Sequence, residues 1–127
     1  MDTPKLPPGT LVLRFVLELL ALVAWGWTGW TVGEASGWLR GVPTLGLPLA
    51  AVVVWGLFNV PGDPSRSGRA PVVVRGVVRL ALEAVFFGGA WMGLALAGDP
   101  WWALAMGVLT VVHYATSTRR LSWMARR

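Results

Sequence analysis

Arg14 and Glu18, and again Arg79 and Glu83, place a guanidinium and a carboxylate four positions apart inside apolar sequence, "RFVLE" and "RLALE". On a helix such residues share a face. Four such groups brought together could bind an ion, pass a proton, or hold helices in register. Arg75 falls one turn before Arg79 on the same face, and His113, the only histidine, could join a proton path because imidazole titrates near neutrality. Acid-base catalysis by the two glutamates is the enzymatic alternative, but each has an arginine beside it that would hold it ionised. The chain has no cysteine, no second histidine to complete a metal site and no phosphate-cradling glycine loop. Neither an enzyme nor a metal or other cofactor is expected.

The elements that must carry these residues are set by composition. Apolar residues make up 55% of the 127 positions and charged residues only 13%, about half the share usual in soluble domains. A membrane-spanning helix needs about 20 mostly apolar residues. Four segments qualify, at about 10–32, 44–60, 71–97 and 100–116, followed by a basic tail at 117–127. The expected fold is therefore all-α: one transmembrane domain over 1–127, an integral membrane four-helix bundle. The first segment is too long and too charged for a cleaved leader and is read as a retained span. Asp99 followed by Pro100 reads as an N-cap and first-turn proline, which makes the third and fourth helices a tight antiparallel hairpin. The stretch "VPGDPSRSGRA" is the one clear hydrophilic loop.

Lysine and arginine resist translocation, so their distribution orients the spans. Lys5, Arg66, Arg69, Arg119, Arg120, Arg126 and Arg127 fall on one side and Arg40 alone on the other. Both termini and the middle loop are expected in the cytoplasm. Trp27, Trp30, Trp38, Trp91, Trp101 and Trp102 gather near the opposite face, where indoles anchor at headgroups. The net charge of +5 thus reads as membrane orientation rather than nucleic-acid binding. The tail "RRLSWMARR" has Leu121, Trp123 and Met124 between its charges and is expected to lie on an anionic inner leaflet. The expected partners are the bilayer, anionic lipid at this tail, and a homodimer mate or another membrane protein.

The two halves resemble each other. Beyond the Arg/Glu pairs, Gly29 and Gly33 correspond loosely to Gly89 and Gly93, and Gly46-x-Pro48 to Gly98-x-Pro100, if the first half carries an insertion of about 13 residues. Two tandem hairpins would then be related by an axis along the membrane normal, with the first and third helices parallel. A lone charge at a helix centre costs about 2.5 to 3.5 kcal/mol in lipid, so the four charges should face inward. The Arg-then-Glu order opposes the helix dipole, which favours reciprocal pairing between helices: Arg14 toward Glu83 and Arg79 toward Glu18. Reversing both charges of the Arg14 and Glu83 pair should then restore what either single reversal loses. The glycine pairs permit close helix approach, within the monomer or at a dimer seam.

Through "LRFVLELLALVAWGW", "VVVWGLFNVP" and "VRLALEAVFFGGAWMGLALAG", the chain resembles the YrdB family of small bacterial membrane proteins. Arg14, Glu18, Arg79, Glu83 and the Trp55-Gly56-x-Phe58-x-x-Pro61 close of the second span carry the likeness. The resemblance implies a four-helix integral membrane protein and no activity, since the family is uncharacterised. The expected location is the bacterial cytoplasmic membrane. Two functions follow: a structural or interaction protein whose Arg/Glu cluster fixes helix packing, or a small-solute, ion or proton transporter or channel acting as a homo-oligomer.

Overall fold

A computed structural model describes residues 3–65 and 71–127. Among them, helix α1 spans Pro8–Val32, α2 Gly41–Leu57, α3 Gly76–Leu96, α4 Pro100–Ala115 and α5 Thr118–Ala125, with a 3-10 helix over Gly33–Arg40 joining α1 to α2. Prolines open α1 and α4, where their fixed φ suits the first turn and no amide is lost. Two helical runs, Pro8–Leu57 and Gly76–Leu96, are long and apolar enough to cross a membrane.

Cross-contacts fix the directions of the helices. Arg14 meets Glu83 and Trp25 reaches Phe86, so α1 and α3 run parallel. Trp27 meets Asp99 while Arg14 meets His113, so α4 runs antiparallel to α1. Gly29 abuts the backbone of Pro43 and Gly26 that of Thr44, which makes α2 antiparallel to α1 as well. A β-carbon at Gly29 would overlap the Pro43 carbonyl, so close approach of α1 and α2 requires glycine there. Gly33 also faces Pro43, Gly89 faces the Trp25 ring and Gly93 faces Thr28. All four glycines of the sequence pattern thus make contacts inside one chain.

The main core packs Leu17, Ala21 and Ala24 of α1 against Phe86, Phe87, Ala90 and Leu94 of α3, closed by Ala103 and Met106 of α4. A second cluster joins Val60 to Trp123 and Met124 of α5, with Val74 and Leu80 against it. α2 buries no residue fully.

Several boundaries differ from expectation. The third helix begins at Gly76, because Val72–Val73 instead forms strand β2, paired in parallel with strand β1 at Phe58–Asn59. Arg75 is the N-cap residue of α3, extended and exposed, and does not share the helical face of Arg79. Asp99 makes no side-chain cap bond; its Oδ2 accepts the Trp27 indole N–H at 2.6 Å. Pro100 opens α4, whereas Pro48 lies inside α2, so the Gly-x-Pro correspondence between the halves does not hold. The 3-10 helix over Gly33–Arg40 falls in the stretch "GEASGWLRGVPTL", where the insertion in the first half is expected. Arg66 and Arg69 lie outside the described residues.

Candidate functional site

Glu83, on α3, is the centre of the charged residues. Its side chain is 1% exposed, and Arg14 of α1 reaches Oε1 through Nη2. Arg120 of α5 donates from Nη1 to Oε1 at 3.0 Å and to Oε2 at 3.2 Å, and from Nη2 to Oε2 at 3.2 Å. The Tyr114 hydroxyl donates to Oε1 at 3.3 Å. A buried carboxylate is tolerated only when paired and hydrogen-bonded, and Glu83 meets both conditions.

Arg14 is shared. Its Nε donates to Glu18 Oε1 at 3.0 Å, and Nη1 lies 3.1 Å from His113 Nε2. Arginine has no acceptor, so Nε2 must take the hydrogen bond and the imidazole N–H sits on Nδ1. His113 is fully buried. The guanidinium also lies 5.1 Å from the Trp55 ring and 5.3 Å from Phe87, which compensates part of its desolvation.

Arg79 has a different task from the one expected of it. Its Nη1 donates to the carbonyls of Trp55 at 3.0 Å and Phe58 at 2.8 Å, and its guanidinium lies 4.1 Å from the Trp55 ring. α2 ends at Leu57, so a cation here satisfies carbonyls at a helix C-terminus and complements the dipole. No ion pair joins Arg79 to Glu18 among the described residues; the reciprocal ring is replaced by a chain. Glu18, with 27% of its side chain exposed, lines a cavity of about 360 Å³ together with Arg79, Trp55 and Phe15.

The other end of the chain was not read from the sequence. Arg120 grips Asp63 through Nε to Oδ1 and Nη2 to Oδ2, both 2.8 Å, with both side chains wholly buried. The turn that presents Asp63 closes through its amide to the Val60 carbonyl at 3.1 Å. Pro61 and Gly62 occupy its centre, Gly62 at φ 84, an order that suits a type II turn. Ser65 donates to Asp63 Oδ1 from its amide and its hydroxyl. Burial pushes the Asp63 carboxyl up, but Arg120 and Ser65 outweigh it and hold the pKa at about 2. For Arg120, burial opposes the charge, while Asp63 and Glu83 more than restore it and raise its pKa above the ordinary value.

Arg120 was expected to be a surface charge of the tail. Trp123 and Met124, expected in the leaflet, are 1% and 0% exposed within the protein. The usable signal was the spacing of Arg120, Trp123 and Met124, which sets one helical face. Asp63 had none, because a loop aspartate beside proline and glycine usually serves its own turn.

These helices define a small helical protein organised around a buried chain of ion pairs, with no cluster of metal-ligating side chains among the described residues. Residues 12–111 match the model of a family described as a protein of unknown function, DUF2568. The chain is 38% identical over 120 residues to the "Uncharacterized protein YrdB" of Bacillus subtilis (strain 168), covering 94% of this chain and 96% of that one. It belongs to this YrdB-like family. No solved structure matches it.

Proposed function

We propose that the protein is a structural or interaction protein of the bacterial cytoplasmic membrane. In this reading the four long helices span the bilayer, and both termini and the middle loop are cytoplasmic. The chain Glu18–Arg14–Glu83–Arg120–Asp63 locks α1, α3, the loop and α5 together. The observation that carries this reading is Glu83 at 1% exposure with both oxygens paired, which leaves no room for an ion to exchange there. The outward faces support the setting: Val32, Leu45 and Leu96 are 71%, 72% and 81% exposed, while α1 buries Ala21, Ala24 and Gly29 among its inner residues. Large apolar residues turned outward suit a lipid solvent, and alanine and glycine at helix contacts permit close approach there.

The cavity beside Glu18 favours a second reading, in which the protein is a small-solute, ion or proton transporter or channel acting as a homo-oligomer. Proteoliposomes separate the two. The structural reading expects no proton or ion flux above that of empty vesicles, together with a lower melting temperature for Glu83→Gln. A wild-type flux that Glu18→Gln abolishes without changing the melting temperature overturns it.

A further inference from the structure

α5 turns Arg120, Trp123 and Met124 inward, which leaves Arg119, Ser122 and Arg126 in line on the opposite stripe. The segment before α1 faces this stripe, and between them lies a groove of about 590 Å³. Lys5 and Thr3 form one wall, Thr118 and the α5 stripe the other. Three cations and three hydroxyls converge there, and no carboxylate is among the described residues that line it. Lys5 and Arg119 are exposed and make no ion pair among the described residues. The nearby acids Asp63 and Glu83 are fully engaged with Arg120.

We propose that this groove is a binding site for the phosphate headgroup of an anionic phospholipid. The proposal rests on the membrane reading and changes how the tail meets the leaflet. With Trp123 and Met124 consumed by the second core cluster, α5 has no large apolar residue fully exposed with which to insert. Attraction to the leaflet comes from a shaped cationic site, in which Arg119 and Lys5 supply charge and the hydroxyls supply donors.

The test uses the full chain in mild detergent, offered phosphatidylglycerol or phosphatidylcholine, with retained lipid counted by native mass spectrometry. Wild type should retain phosphatidylglycerol in preference. The Lys5→Glu, Arg119→Glu double variant should weaken that retention by about tenfold or more with its melting temperature unchanged, and Arg40→Gln at the other end should match wild type. Retention unaltered in the double variant, or equal retention of phosphatidylcholine, overturns the site and leaves the membrane reading standing. Phosphatidylglycerol displaced by inorganic phosphate alone overturns the lipid as the source. A protein that fractionates away from membranes in cells overturns the membrane reading, and the lipid with it.

Discussion

Arg120 and Asp63, 57 positions apart in the chain, form a two-pronged ion pair with both bonds at 2.8 Å and neither side chain exposed. Together with the bonds from Arg120 to Glu83, this pair pins the C-terminal helix and the middle loop to the third helix.

Replacing Arg120 by alanine leaves the buried Asp63 without a cation and Glu83 with Arg14 as its remaining cation. Removing one partner of a buried pair costs about 3 to 5 kcal/mol, and the loss of α5 packing adds to it. Arg119→Ala, on the exposed stripe of the same helix, should shift stability by less than about 0.5 kcal/mol. Thermal unfolding of the two variants in detergent checks the contrast; equal melting temperatures would remove Arg120 from the network.

Charge reversal at Arg14 and Glu83 should not restore stability. A simple reciprocal pair would tolerate the swap, but Glu83 also faces Arg120 at 3.0 Å. An arginine there would oppose Arg120, so R14E/E83R should melt well below wild type. Recovery in the double variant would show that Arg14 and Glu83 act as an isolated pair.

Asp63 makes stability depend on acid pH. Its folded pKa of about 2 lies below the ordinary 3.8, so its contribution is complete above about pH 4 to 5 and is lost as pH falls toward 2. The difference corresponds to about 2 kcal/mol. Melting temperature should decline over this window in wild type, and the decline should be shallower in Asp63→Asn, which starts lower. Identical slopes for the two proteins would refute the assignment.

Gly29→Ala and Gly88→Ala should differ in sign. A methyl at Gly29 would overlap the Pro43 carbonyl, which belongs to the backbone and cannot rotate aside, at a cost of about 1 to 3 kcal/mol. Nothing lies within 4 Å of a β-carbon at Gly88, so alanine there gains helix propensity of up to about 1 kcal/mol. Unfolding midpoints measured side by side test the geometry of the α1–α2 contact.

The four apolar helices and the inward placement of Arg14, Glu83 and Arg79 were legible in the sequence, because apolar length and a spacing of four act locally; which surface each glycine meets was not. Arg79 shows where that reading stops. A guanidinium can satisfy a carboxylate or the carbonyls at a helix end, and the end of α2 is the one placed within its reach. The tail and loop looked solvated for the same reason: Arg120 and Asp63 sit among polar neighbours, and the partner each takes lies 57 positions away in the chain. Their burial is a property of long-range closure, since each is stable inside only once the other arrives. By itself the sequence determined the four apolar helices and which charges must leave the apolar surface; the tertiary structure decided which charge meets which, because pairing energy depends on distances that local spacing does not set.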